Sequence, residues 1–173
     1  MKLVSVLEAF CYYMTMDLNN PFATFTKTAF RLEALPVYVV DNEKEAFEEF
    51  ISSGKLSENS SSDWSRTVEE NVSAGKSMRR LRLISDELTL YEQYELLAYP
   101  GIKSGEEIRI NSRSAHKGAY LYDFWFFDSE YITQMNYEAD GTYINSDTRK
   151  ANEKEKEMLY YWMSVFDSSG TLE

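Results

Sequence analysis

The stretch DFWFFDSEYITQMNYEADGTY, residues Asp123–Tyr143, sets four consecutive aromatics between two aspartates and follows them at once with a second aromatic-bearing segment. In extended chain, alternation places Phe124 and Phe126 on one face and Asp123, Trp125 and Phe127 on the other. Rings on both faces describe a central strand covered on both sides. Asp128-Ser129-Glu130 suits a tight turn on conformational grounds alone, and Ala139-Asp140-Gly141 contains Asp-Gly, one of the stronger hairpin signals. The stretch therefore reads as strand, turn, strand, turn, strand. Asp123 stands apart: a carboxylate beside a doubly covered strand needs a partner, because burying it unpaired is costly.

Working outward, the upstream chain alternates strands with helices. A strand is expected around Ala29–Leu35, with a short extended piece at Val37–Val40, since Pro36 cannot donate to a ladder. Asp41 reads as an N-cap for a helix whose stripe is Ala46, Phe47, Phe50 and Ile51, stopped by Gly54. After the low-complexity loop Ser57–Asp63, Trp64, Val68 and Val72 mark a helix to about Ala74, with Gly75 at its C-terminus. MRRLRLIS, from Met78, is a strand with Leu81 and Leu83 on one face and Arg80 and Arg82 on the other. Leu90, Tyr91, Tyr94 and Leu97 recur at helical spacing, and Pro100-Gly101 closes that helix. In EEIRIN, Ile108 and Ile110 point inward and Glu107 and Arg109 outward. A helix is expected from about Thr148 to Phe166, its MLYYWMSVF half docking either on its own sheet, as a terminal amphipathic helix most often does, or on a partner.

This order predicts an α/β fold, with α+β as the alternative. One domain holds a mixed sheet of about five or six strands flanked by helices, ending in a meander and a terminal helix. Residues 1–16 read as an N-terminal extension, in which Val4, Leu7 and Cys11 share a helical face. Residues 17–168 read as the domain and 169–173 as a flexible tail. A chain of 173 residues buries about 70% of its unfolded surface, enough for a core without staples.

The formal charge of −11 opposes direct nucleic-acid binding and polybasic attachment to lipid. An acidic surface suits solubility, a basic partner protein, or imitation of nucleic acid. Cys11 is the single cysteine, which excludes an intrachain disulfide and fits a reducing cytoplasm. Glu8 interrupts the apolar start, no small-residue cleavage site follows it, and no apolar run is long enough to span a bilayer. A cytoplasmic protein without membrane contact is expected.

The best polar cluster is built from arginines. Arg31, Arg80, Arg82, Arg109 and Arg113 fall on or beside strands, with Glu33, Glu107 and Asp123 near them. On neighbouring strands, Arg80, Arg82 and Arg109 are expected to share a face with Glu33 and Glu107. Guanidinium forks suit a small anionic ligand, and the same residues suit a cross-strand salt-bridge ladder. The candidate ligand-binding set is therefore Arg31, Glu33, Arg80, Arg82, Glu107, Arg109, Arg113 and Asp123. No catalytic residue, metal ligand or cofactor is assigned. His116 is the sole histidine, in a loop, with no Cys or His at ligand spacing, and the glycines are dispersed singly, forming no phosphate loop.

Several separated blocks resemble a family of bacterial proteins, domain of unknown function 6879. They are Phe25–Tyr38 (FTKTAFRLEALPVY), Trp64, Gly75 with Arg79–Ser85, Leu88 with Tyr91, GEEIRI from Gly105, Arg113, DFWFFD from Asp123, Met135–Tyr137 and Gly141. The chain before about Asp17 falls outside the resemblance, as do details of the terminal helix. The family is common in actinobacteria and often encoded beside helix-turn-helix regulators, so the resemblance implies an accessory or regulatory role; it brings no catalytic residues to transfer. GKSMRRLRLIS followed by a helix is also similar, more weakly, to half of a phospholipase D-like sheet. The paired His-x-Lys chemistry of that fold is missing, because Lys117 directly follows His116.

The expected function is a non-catalytic regulatory or protein-interaction module. Its partner would be a helix-turn-helix regulator protein, or a small anionic ligand at the arginine cluster. The first alternative is a divalent-metal phosphoesterase or nuclease using Asp123, Glu107 and Glu33. The second is an acidic mimic of nucleic acid, which the mixed signs of TRKANEKEKE oppose.

Overall fold

The computed structural model describes residues 16–56, 62–99 and 104–172. The expected N-terminal helix, the Ser57–Asp63 loop up to residue 61 and the Pro100-Gly101 stop lie outside these residues. One mixed sheet of seven strands organises the chain, in the order β6-β5-β4-β1-β2-β3-β7. Its strands are β1 Thr28–Glu33, β2 Ser77–Ile84, β3 Glu107–Ser112, β4 Phe124–Phe127, β5 Tyr131–Tyr137, β6 Tyr143–Lys150 and β7 Gly170–Thr171. β1, β2 and β3 run parallel, and β4, β5 and β6 form the antiparallel meander on the other side of β1. The class is α/β, as expected. The added strand is β7, whose two residues have no apolar pattern to announce them; it places part of the presumed tail on β3.

The helices are α1 Pro21–Thr24, α2 Lys44–Ser53, α3 Ser62–Ser73, α4 Leu90–Ala98 and α5 Glu153–Ser168. Two expected starts shift. Asp41–Glu43 form a 3-10 turn and α2 begins at Lys44 without a side-chain cap. Residues 148–150 belong to β6, because Asn152 and Glu155 form a reciprocal capping box that starts α5 after them.

Alternation divides the sheet as the aromatic strand implied. On one face, Phe30, Leu32, Leu81, Leu83, Phe124, Phe126 and Ile132 pack under Leu159, Trp162 and Phe166 of α5. MLYYWMSVF thus supplies core, with Tyr160 and Tyr161 left outward. The opposite face is composite. At one end Trp125, Phe127 and Met78 meet Phe25 and Val68 of α3. At the other, Tyr38 meets Phe50 of α2 and Tyr91 and Tyr94 of α4. Between these apolar patches lie the side chains of Arg31, Glu33, Arg80 and Arg82.

Two turns hold the meander. Asp128 and Ser129 both have positive φ (53° and 57°), in the three-residue loop between the paired Phe127 and Tyr131 that the Glu130 amide closes on the Phe127 carbonyl at 3.0 Å. Gly141 has φ 91°, and a Cβ there would collide with the Val37 carbonyl. Among the described residues no helix is long and apolar enough to cross a membrane.

Candidate functional site: a buried arginine–carboxylate network

β1 and β2 run side by side with Arg31 opposite Arg80 and Glu33 opposite Arg82. The parallel register therefore forces the guanidiniums of adjacent strands onto one face, where like charges need acids between them. Glu33 supplies one: its carboxylate lies between Arg31, at 3.4 Å, and Arg80, with which it forms a close ion pair. The Tyr99 hydroxyl donates to its other oxygen at 2.5 Å. Burial alone would raise the Glu33 pKa, but Arg80, Arg31 and Arg82 outweigh it and hold the group down to about 2.

Asp123 closes the next link. Its carboxylate accepts from Arg31 Nη2 at 2.8 Å, from the Tyr38 hydroxyl at 2.6 Å and from the Ala34 amide at 2.9 Å. The partner that the sequence demanded is thus Arg31, reinforced by two neutral donors. Burial still pushes the Asp123 pKa up against Arg31 and those donors. Burial and the adjacent Asp123 likewise push the Tyr38 hydroxyl well above its ordinary value, so it stays a donor.

Arg80 and Arg82 complete the network through acids outside the strands. Arg80 Nε donates to Glu106 at 2.9 Å, and Trp64 Nε1 donates to the other oxygen of Glu106 at 3.0 Å. The Arg80 guanidinium also lies 5.5 Å from the ring centres of Trp64 and Trp125, within cation–π range. Arg82 Nε donates to Glu95 at 2.6 Å and its Nη1 to the Leu35 carbonyl at 2.6 Å. Its Nη2 is buried without a hydrogen-bond partner among the described residues, and its guanidinium lies 5.3 Å from the Tyr38 ring centre. Burial raises the Glu95 pKa to about 7, with Arg82 pulling it down and Glu33 pushing it up.

Three guanidiniums, of Arg31, Arg80 and Arg82, thus face the four carboxylates of Glu33, Glu95, Glu106 and Asp123. One surplus carboxylate agrees with the high proton affinity of Glu95.

Three residues expected in the cluster fall elsewhere. Arg109 and Glu107 lie on the opposite sheet face, because Ile108, not Arg109, is the register partner of Arg80. There Arg109 pairs with Glu107 at 2.7 Å and donates to the carbonyls of Phe166 and Asp167, clamping the C-terminal end of α5. Arg113 follows β3 and donates to Ser85 Oγ at 2.8 Å. The carboxylate set Asp123, Glu107 and Glu33 is accordingly split between two faces. Among the described residues, no group of three His, Cys, Asp or Glu side chains is placed to hold a metal ion.

The residues missed are Glu95, Glu106, Tyr38, Tyr99 and Trp64. One signal was present for Glu95: it lies four residues after Tyr91, on the same helical face. α4 in fact turns Tyr91, Glu92, Tyr94 and Glu95 inward and leaves Leu90 and Leu97 at 57% and 52% exposure. The expected stripe was therefore half wrong, because the sheet face beneath α4 is cationic and draws in acids.

Two backbone cradles suited to anions are filled by the chain's own carboxylates. Glu92 accepts from the Ser85 and Thr89 amides, at 2.9 and 2.8 Å, where the chain leaves β2 and enters α4. Asp128 accepts from the amides of Thr26, Lys27 and Thr28 at 2.7–2.9 Å and from the Thr26 hydroxyl. Burial opposes this, but the amides prevail and hold the Asp128 pKa low. His116 has both ring nitrogens partnered. Asn111 donates from Nδ2 to Ser169 and so presents Oδ1 to Nε2, while Nδ1 meets the Tyr161 hydroxyl at 2.8 Å.

The chain belongs to the family described as domain of unknown function 6879, which matches residues 16–172. No curated protein matches it.

Proposed function

We propose that this member of the family is a non-catalytic regulatory or protein-interaction module, accessory to a cationic partner of the helix-turn-helix regulator class. The observation that carries the reading is α4. Leu90, Gln93 and Leu97 occupy its outward face, with Leu88 exposed just before it. A leucine covered by a partner gains about 1.5–3 kcal/mol, so two such residues are a substantial anchor for binding. Neighbouring α2 exposes Glu45, Glu48 and Glu49. With the net charge of −11, this acidic surround complements the cationic surface that a DNA-binding protein carries.

The ionic network supports the same reading from the other side. Arg31, Arg80 and Arg82 are buried and engaged by internal carboxylates. An anionic ligand would have to displace Glu33, Asp123 or Glu95 from its arginine before binding there.

The test is co-purification of the tagged full chain with helix-turn-helix regulators from the lysate of its source organism, compared with the Leu90→Glu, Leu97→Glu double variant. Stoichiometric recovery lost in the variant, with an unchanged melting temperature, is expected. Equal recovery by both proteins refutes the α4 assignment, and no recovery by either refutes the accessory role.

A further inference from the structure

The two edges of the sheet are treated differently. On the β3 side, the edge is covered by the two-residue β7 and by the α5 end that Arg109 clamps. The β6 side ends in an eight-residue strand, with Tyr143 to Asp147 all exposed. Among the described residues only its beginning is covered, where the Val39 amide donates to the Gly141 carbonyl at 3.0 Å.

The orientation of the open part follows from one bond. Ala151 donates its amide to the Glu130 carbonyl at 2.8 Å, so this residue faces β5. Amide and carbonyl directions alternate along a strand. Asp147 and Arg149 therefore bond toward β5, and Ser146, Thr148 and Lys150 turn their amides and carbonyls outward. β6 has no proline, and its register irregularity lies at the far end, opposite Asn136 and Tyr137. Over Ser146–Lys150 the edge thus carries neither proline nor bulge, and what guards it is the charge of Asp147, Arg149 and Lys150, which a partner strand must pair.

We propose that this edge pairs with the same edge of a second copy of the chain, antiparallel about a twofold axis at Thr148. In that register Thr148 meets Thr148 of the second copy and Ser146 meets Lys150, each as a hydrogen-bonded pair. Asp147 then falls opposite Arg149 in the closer, non-hydrogen-bonded pair, twice by symmetry. The choice of occupant rests on this self-complementarity. A centre on Ser146 sets Asp147 against Asn145 and Arg149 against Tyr143, and a centre on Lys150 runs Asp147 into the start of α5. Arg149 already lies 3.1 Å from Asp147 and 2.7 Å from Glu155 of its own chain, so it is held in place before the second copy arrives. The pairing goes beyond the accessory reading and leaves α4 free.

Sedimentation equilibrium of the full chain over micromolar to submillimolar concentration tests it at physiological salt. A monomer–dimer equilibrium is expected. Thr148→Pro removes an outward amide, a tolerated change on an edge strand, together with the 2.9 Å hydroxyl contact to Thr133, and should abolish the dimer while circular dichroism shows the fold retained. Asp147→Lys sets like charges opposite each other and should weaken dimerisation at least about tenfold. The double swap Asp147→Lys, Arg149→Glu, followed by circular dichroism because it also gives up the Arg149–Glu155 pair, should restore it. The amides of Ser146, Thr148 and Lys150 should exchange more slowly at high protein concentration than at low. A chain monomeric throughout overturns the proposal, and so does a dimer indifferent to Thr148→Pro and to the charge swap.

Discussion

Replacing Asp123 by asparagine asks whether the network is scaffold or site. Asp123 is 2% exposed, and its carboxylate accepts from Arg31, Tyr38 and Ala34. Asparagine keeps one oxygen, which can still serve the Ala34 amide, but sets an NH2 group toward two donors and leaves Arg31 with only part of its compensation. Hydrogen bonds to charged groups contribute about 1.5–3 kcal/mol each, and breaking one side of a buried ion pair costs about 3–5 kcal/mol. We therefore expect a loss of about 3–5 kcal/mol in urea unfolding, followed by tryptophan fluorescence. For a chain of this size that lowers the melting temperature by about 6–20 °C. A double-mutant cycle with Arg31→Met should recover part of the loss, because the second change removes the stranded charge. The opposite sign is informative: carboxylates kept for chemistry are commonly neutral or stabilising to remove. A loss below about 1 kcal/mol would refute the scaffold argument and return Asp123 to the candidates for catalysis or metal binding.

Four further substitutions follow from the same geometry. Glu95, raised by burial to about 7 from an ordinary 4.5, binds a proton more tightly when folded. Its contribution to stability is complete below about 4.5 and is lost as pH rises through about 7, so Glu95→Gln should flatten the fall in urea midpoint between those values; an identical slope in both proteins refutes this. Asp128→Ala forfeits the amide cradle of Thr26–Thr28 and puts alanine at φ 53°, at a cost of about 2–4 kcal/mol. Ser129→Gly relieves the same turn and should stabilise by about 1 kcal/mol; thermal melts of both decide whether the turn is strained as described. Gly141→Ala should destabilise by more than about 1 kcal/mol in the same melts, because both φ and the Val37 carbonyl exclude a Cβ.

The aromatic stretch made the centre of the fold legible because strand alternation is a local property. Phe124 and Phe126 on one face and Trp125 and Phe127 on the other are observed as the period of two requires. The same rule separated Leu81 and Leu83 from Arg80 and Arg82. The error over Arg109 and Glu107 has a physical origin: alternation fixes faces within a strand, but only inter-strand register relates one strand's faces to another's. A shift of one residue exchanges the two faces, and nothing local to EEIRIN states that Ile108 pairs with Arg80. The outer acids were hidden for a different reason. Glu95 and Glu106 come from a helix and from the approach to β3, and are recruited by charge across 13 and 26 residues of chain. β7 was invisible because its pairing depends on where α5 ends, not on its own side chains.

The network and the surface of α4 are one arrangement seen from two sides. A helix over a sheet ordinarily turns its leucines down and its glutamates out. Here the surface beneath holds Arg82 and Arg80, and burying those guanidiniums uncompensated would cost far more than leaving two leucines wet. α4 is therefore held with Glu95 on Arg82, Tyr99 just beyond its last turn on Glu33, and Glu92 on the Ser85 amide. Once those contacts fix its rotation, Leu90 and Leu97 have no direction left but outward. The buried charges thereby set which face α4 offers to a partner, without touching that partner. Removing Glu95's negative charge should consequently leave the leucines in place, because Tyr99 and Glu92 still fix the helix, whereas changing Glu92 and Tyr99 together should free its rotation. Proteolysis and hydrogen exchange confined to residues 89–99 would report that release before any global unfolding.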